Sequence, residues 1–262
     1  MADQPIRFND GAAYERMMGV WSRLAGEVFL DWVAPPAGLS WIDVGCGNGA
    51  FTELVVDRCA PKEVQGVDPS PAQIAFARGR PAARLAEFRE GDAQALPFDE
   101  NRFDAAAMAL VIFFVPDPMK GVAEMARVVR PGGLIAAYAW DILEGGFPLE
   151  PILAEMRELG RPAILPPSAG VSRIGPLGKL WRDAGLRDVE TREIRVERSF
   201  ADFDEFWEIG LLSASVSQTL AGISDADRDR LKTRTRARLG IEAGKPLTTS
   251  ARANAVKGRA PG

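Results

Sequence analysis

The sequence contains no histidine in 262 residues. That absence excludes Ser-His-Asp and Cys-His catalytic arrangements, histidine metal ligands and the commonest general base at neutral pH. Cysteine is almost as scarce: Cys46 and Cys59 are too few for a disulfide framework or a thiolate metal cluster, so no metal is expected. Long apolar runs are missing too. The longest, Ala105 to Val115, has eleven residues, about half the length of a membrane-spanning helix, and reads as a buried strand. Met1-Ala-Asp-Gln-Pro lacks the basic and apolar regions of a secretory signal, and together with the cysteine usage this predicts a reduced, cytoplasmic protein. A net charge of −4, with neither half of the chain a basic module, gives no general attraction for nucleic acid or an anionic membrane.

What is present is ordinary for a folded α/β chain: 47% hydrophobic and 26% charged residues, with 26 glycines and 19 prolines that predict many turns. Tyr14, Met17, Met18, Trp21, Leu24 and Val28 recur at helical spacing, so Asn9 to Val33 is expected to be helical up to the Pro35-Pro36 break. An alternation follows. Strands are expected at 41–44, 63–67, 85–89, 103–111 and 134–140, the last after the turn Pro131-Gly-Gly. Helices are expected at 49–59, 71–78 and 118–129, and this rhythm implies a parallel sheet covered on both faces. Beyond Trp140 a Pro- and Gly-rich stretch, 144–178, reads as an insertion with one helix at 149–159. Helices at 177–184, 203–220 and 224–239 and strands at 189–200 and 247–256 complete the reading. The basic end of the 224–239 segment, Lys232 to Arg238, reads as a solvated helix C-terminus that complements the helix dipole.

The chemistry concentrates in Asp43-Val-Gly45-Cys46-Gly47-Asn48-Gly49, where a strand runs through three alternate glycines into a helix. Such a turn lets the backbone pass close to a ligand, and a helix N-terminus offers N–H groups to an anion. Asp68 ends the second strand 19 residues beyond Gly49, where an adenosine-binding sheet places a carboxylate on two ribose hydroxyls. Gly91-Asp92-Ala93 follows the third strand and offers a carboxylate to the exocyclic amine of an adenine. A carboxylate at Asp43, two residues before the first glycine, would repel a dinucleotide's pyrophosphate. S-adenosylmethionine brings no phosphate. It carries a carboxylate, an ammonium and a sulfonium instead.

These segments resemble the class I S-adenosylmethionine-dependent methyltransferases, which show acidic-x-Gly-x-Gly-x-Gly at the first turn, an acidic residue after strand two and Gly-Asp-Ala after strand three. The same family has a Phe-Asp start to strand four and Arg-Val-Leu-x-Pro-Gly-Gly before strand five; here these are Phe103-Asp104 and Arg127-Val-Val-Arg-Pro-Gly-Gly133. The resemblance covers residues 40 to 140 strongly and is closest to the ubiquinone and menaquinone biosynthesis branch, methyltransferase type 11. It implies an α/β fold with a Rossmann-like, seven-stranded, mostly parallel sheet, an antiparallel last strand and helices on both faces. Residues 1–36 would form an N-terminal helical cap and 37–262 the methyltransferase domain, with insertions at about 144–176 and 201–244. The cofactor would be S-adenosylmethionine, held by Asp43, Gly45, Cys46, Gly47, Asn48, Gly49, Asp68, Pro69, Ser70, Asp92, Ala93, Ala109 and Leu110, with Arg23 or Tyr14 near its methionine end.

The methyl donor arrives activated, so alignment and exclusion of water are the main tasks and a missing histidine is tolerable. If the acceptor must lose a proton, the candidate bases by position are Tyr14, Tyr138 and Asp141. After strand four, where many relatives carry a histidine or another polar residue, this chain has Leu110-Val-Ile-Phe-Phe-Val115, which suits an apolar or aromatic acceptor if the loop lines its pocket and is otherwise core. The Asn/Asp-Pro-Pro-aromatic motif of DNA amino-methylating enzymes, a cysteine suited to cytosine methylation and the paired-glutamate loop of arginine methyltransferases are all missing, leaving a small molecule as acceptor. Two alternatives share some of these features. A non-catalytic S-adenosylmethionine-binding protein has every cofactor motif. An NAD-dependent oxidoreductase is opposed by Asp43 and by the lack of Tyr-x-x-x-Lys.

Overall fold

A computed structural model describes residues 15–242 and 244–262. A π-helical turn, Glu15–Gly19, leads into α1, Val20–Val33, whose stripe of Trp21, Ala25, Phe29 and Leu30 is buried. The sheet begins with β1, Ser40–Val44, buried along its whole length because neighbours cover it on both edges and both faces. Then follow α2, Ala50–Cys59; β2, Glu63–Asp68; α3, Pro71–Ala77; and β3, Ala86–Glu90. The chain crosses back over β1 to β4, Phe103–Ala109, then α4, Pro118–Val128, and β5, Val129–Trp140. Helix starts follow local chemistry: Ser70 and Asp117 accept from the backbone N–H groups of Gln73 and Lys120, each followed by a proline in the first turn.

The second half consists of α5, Glu150–Glu158; α6, Ile174–Asp183; β6, Arg187–Phe200; α7, Phe203–Leu211; α8, Ala214–Leu220; α9, Asp225–Leu239; and β7, Leu247–Arg259. The seven strands form one sheet in the order β3-β2-β1-β4-β5-β7-β6. The β1, β2, β3, β4 and β5 pairs are parallel, and β7 runs antiparallel between β5 and β6. This is a Rossmann-like α/β fold with an antiparallel last strand. Its order reverses at β1, so the loops after β1 and β4 diverge and leave a crevice at their carboxyl ends. Ala105, Ala106 and Ala107 of β4 have no exposed surface, and their small side chains let the covering layers approach the sheet closely.

Three local expectations are corrected. The apolar run 105–115 is not one strand: β4 stops at Ala109, Leu110 takes a left-handed conformation (φ 63°), and Ile112–Phe114 form a 3₁₀ turn. Period-free apolar sequence cannot distinguish a buried strand from a buried turn. The segment 203–220 is two helices, broken where Ser213 takes an extended conformation. Pro131-Gly-Gly does not precede β5 but lies within its pairing as an irregularity, the register shifting between Phe103 and Ala105 of β4.

Candidate active site

The crevice at the switch point is a cleft of about 810 Å³, within the usual range for small-molecule sites. One wall is the glycine turn after β1. Gly45 has φ 75°, and a Cβ there would lie 2.4 Å from Val111 Cγ1, so only glycine lets the turn pass under the loop after β4. Gly47 also has positive φ, and nothing lies within 4 Å of where its Cβ would stand; it borders the cleft and leaves room beside the backbone.

The expectation of free backbone donors at this turn is corrected. Gly45 and Cys46 donate their N–H groups to the Val67 carbonyl at 2.7 and 3.0 Å, Gly49 to the Cys46 carbonyl at 2.9 Å, and Gly47 to Asp68 Oδ2 at 2.9 Å. The turn folds around its own donors, because buried backbone N–H groups must be paired whether or not a ligand is bound. Asp68 is the organising residue. Its second oxygen, Oδ1, accepts from the Ser70 N–H at 2.9 Å, so one carboxylate ties the β1 turn to the β2 turn and keeps a lone pair on each oxygen. Burial raises its pKa above the usual carboxylate value, opposed by the two N–H groups.

Asp43 lies beneath the turn and does not border the cleft. It is 2% exposed, and its Oδ2 accepts from Thr52 Oγ1 at 2.6 Å while Oδ1 has no partner among the described residues. Burial raises its pKa to about 7, with the Asp68 charge adding and the Thr52 hydroxyl opposing. It is therefore partly protonated near neutrality, which weakens the argument that its charge repels a pyrophosphate. The engaged N–H groups of Gly45, Cys46 and Gly47 are the better reason, since a phosphate cradle needs them free. Gly49 also lies off the cleft. Burial, with Asp43 and Asp68 nearby, pushes the Cys46 thiol well above its ordinary value, so it is no nucleophile.

The other sequence-derived positions separate. Asn48, Pro69, Ser70, Asp92, Ala93, Ala109, Leu110 and Tyr138 border the cleft with Gly45, Cys46, Gly47 and Asp68. Asp92 closes its own turn by accepting the Gln94 N–H at 2.8 Å. Arg23 does not border the cleft; it is exposed and pairs with Glu27 at 3.2 Å, while Ser22, one position earlier, faces inward. Ser22 Oγ is buried and has no hydrogen-bond partner among the described residues. The helical stripe Trp21, Ala25 and Phe29 was the available signal for which side of α1 is inner. Asp141 is likewise away from the cleft, where Arg252 holds its Oδ2 at 2.9 Å. Tyr138 is buried against Phe29, and its hydroxyl donates to the Ser22 carbonyl at 3.3 Å. Tyr14 lies outside the described residues.

Two contributors were not singled out in the sequence. Ile164 to Pro167, from the Pro-rich insertion, form part of the cleft wall. Ser168 fixes them there, donating its N–H to the Phe113 carbonyl at 3.0 Å and its hydroxyl to the Val115 carbonyl at 2.8 Å. Glu15 joins the turn before α1 to the glycine loop: it accepts from Asn48 Nδ2 at 2.7 Å and pairs with Arg80, whose Nε donates to the Asn48 carbonyl at 2.6 Å.

Seven strands in this order, with a glycine turn and a carboxylate at the switch point, define the fold class: a Rossmann-like α/β protein with an antiparallel last strand. A solved structure of phosphoethanolamine N-methyltransferase 2 from Haemonchus contortus, in complex with S-adenosyl-L-methionine, superposes with a TM-score of 0.57 and 20% identity over 95% of this chain and 56% of that one. The sequence comparison adds a family likeness: residues 42–137 match the family described as "Methyltransferase domain". The chain is 41% identical over 93 residues to 2-methyl-6-phytyl-1,4-hydroquinone methyltransferase 2, chloroplastic, of Oryza sativa subsp. japonica, covering 36% of this chain and 27% of that protein. It is 35% identical over 105 residues to demethylmenaquinone methyltransferase of Desulfitobacterium hafniense, covering 38% and 42%. The chain thus spans less than half the length of these curated relatives.

Proposed function

We propose that the protein transfers the methyl group of S-adenosylmethionine to a small, apolar or aromatic acceptor, leaving S-adenosylhomocysteine. The observation that carries this reading is Asp68: a carboxylate at the switch-point crevice, each oxygen steadied by one backbone N–H and each with a lone pair left for a vicinal diol. The cleft fits the donor in two further respects. Gly47 leaves open space beside the backbone, and Ser22, in the cleft wall, has a buried hydroxyl with no partner among the described residues. Asp68 would hold the ribose and Asp92 and Ala93 the adenine side, while the wall formed by Ser22, Gly45 and Gly47 would border the amino-acid end. When bound, the donor supplies a methyl carbon already activated by a sulfonium. The chain's own residues then position the acceptor and exclude water.

The division into a cap, 1–36, and a domain, 37–262, with insertions at about 144–176 and 201–244 belongs to this reading. Its support is that α1 packs on α2 and β6 while the segment after β5 supplies the far wall of the cleft. Tyr138 acts as a positioning group, because its proton is engaged by the Ser22 carbonyl and a phenolate would face that oxygen. Two buried free thiols suit a reducing, cytoplasmic setting.

Calorimetry tests the donor. S-adenosylmethionine is expected to bind and NAD not to; NAD binding without S-adenosylmethionine binding would overturn the reading. Asp68→Ala is expected to lose about 10- to 100-fold in affinity, the range for hydrogen bonds to a charged group, with Asp68→Asn intermediate. Incubation with labelled donor and a metabolite extract then separates an enzyme from a non-catalytic binder: no labelled product would favour the binder.

A further inference from the structure

The cleft does not end at the glycine turn. A smaller cavity of about 80 Å³ adjoins it, and the two share Leu110, Phe114, Ile164, Leu165 and Pro166. Further walls come from segments far apart in the chain: Met17 and Met18 from the turn before α1, Phe113 from the turn after β4, Phe147 and Leu153 before and within α5, and Ala163 from the Pro-rich insertion. No acidic or basic side chain lines this space among the described residues, so a charged group entering it would lose its hydration uncompensated. Ser213 and Ser215 border it, but their hydroxyls are 3.0 Å apart and bond to each other.

The walls outside the sheet are held in place. Arg198 on β6 donates from its guanidinium to the carbonyls of Arg16 and Met17, at 3.3 and 3.1 Å, which fixes the methionine turn. Ser168 fixes the insertion through the carbonyls of Phe113 and Val115. The space is thus built before a ligand arrives, as small-molecule sites usually are. Its size limits what it takes. An apolar cavity of about 150 Å³ holds a benzene ring, or about 25 Å³ for each carbon. On that scale 80 Å³ takes about three carbons and excludes a ring. On the same scale S-adenosylmethionine, with ~27 non-hydrogen atoms, fills most of the 810 Å³ cleft, so an acceptor beside it depends on the adjoining space.

We infer that the smaller cavity receives an uncharged aliphatic substituent of about three carbons carried by the acceptor, whose reacting end stands in the cleft beside Leu110 and Phe114. That assignment rests on the methyltransferase reading only for the word acceptor; the preference of the cavity for a short, uncharged chain stands without it. Each methylene that enters leaves water for an apolar lining and strengthens binding, and a chain longer than the cavity gains nothing further.

The test measures a series of para-alkylphenols by calorimetry on the full chain saturated with S-adenosylhomocysteine. From para-methylphenol to para-propylphenol the affinity is expected to rise about fourfold with each carbon, the effect of one buried methylene, and then to level off as far as para-hexylphenol. The anion para-hydroxyphenylpropanoate, with a carboxylate on a chain of similar length, is expected to bind no better than para-methylphenol. Ala163→Leu enlarges a wall side chain by about the volume of the cavity's occupant and is expected to abolish the rise. Leu153→Ala is expected to carry it on to para-hexylphenol. A flat series, a rise that never levels off in the unaltered protein, a series unchanged in both variants, or no binding of any probe would each overturn the inference. Should both variants fail to fold, the Met17 and Met18 methyl resonances of the unaltered protein decide: they move more with para-propylphenol than with para-methylphenol, and unmoved resonances with para-propylphenol bound refute the role. Failure of S-adenosylhomocysteine to bind would count against the methyltransferase reading alone, because the same series then proceeds without it.

Discussion

Asp43 and Asp68 show how two carboxylates in one motif acquire different tasks. Asp68 stands at the cleft and is steadied by backbone donors, whereas Asp43 is sealed under the turn against the hydroxyl and backbone N–H of Thr52. Sequence spacing marked both and assigned both to the ligand, since burial is invisible in a motif. The sealed position has a consequence for stability. With a folded pKa of about 7 against an ordinary value of 3.8, Asp43 holds a proton in the folded state across that window. Its contribution is complete below the ordinary value and is lost as pH rises through about 7. Denaturant unfolding is therefore expected to show the unaltered protein losing up to about 4 kcal/mol between pH 4 and pH 8 relative to Asp43→Asn; parallel pH profiles for the two proteins would contradict this. Arg23 teaches the same lesson in reverse: the segment was recognised, but the choice between adjacent residues on α1 belongs to its packing, which turns Ser22 inward and Arg23 out.

Elements that follow a strong local rule were legible, and those governed by contact were not. Strand–turn–helix at 40–59 and the capped helices at 71 and 118 could be read because glycine, proline and capping residues act through their own backbone. The end of β4 could not, because Leu110 is held left-handed by tertiary pairing of its N–H with the Tyr138 carbonyl at 2.8 Å. Packing of α1 is equally demanding. A Cβ on Gly26 would lie 2.7 Å from Leu54 Cδ2 and 3.2 Å from the Tyr138 hydroxyl. Gly26→Ala is expected to destabilise the protein by about 1–3 kcal/mol through overpacking. Since Ser22 and Tyr138 border the cleft, it should also weaken S-adenosylmethionine binding. Unchanged melting and unchanged affinity together would show that α1 yields without disturbing the sheet. Glu15, which links the turn before α1 to Asn48 and Arg80, had no sequence signature, because its partners lie 33 and 65 positions away.

The whole molecule adds what no single element contains, a crevice made of loops from several strands and closed by a segment far along the chain. Ligand occupancy of that crevice should stabilise the fold as a unit: at 100 times its dissociation constant, S-adenosylmethionine is expected to add about 2.7 kcal/mol, visible as a raised melting temperature, while NAD at equal concentration adds nothing. A shift of equal size with both would mean the cleft does not distinguish them. The charged edge strand β6 and the salt-bridged pair α5 and α9, where Glu155 meets Arg234 and Arg238, lie in the half that the family match does not reach. By itself the sequence determined the alternation of strands and helices, the glycine turn, the place of Asp68 and the exclusion of histidine chemistry, because periodicity and backbone preference act locally. Only the tertiary structure decided that Asp43 is sealed, that Asp141 is paired and that the Pro-rich insertion walls the cleft. Those outcomes depend on burial and on partners distant in sequence, and neither is encoded in the spacing of a motif.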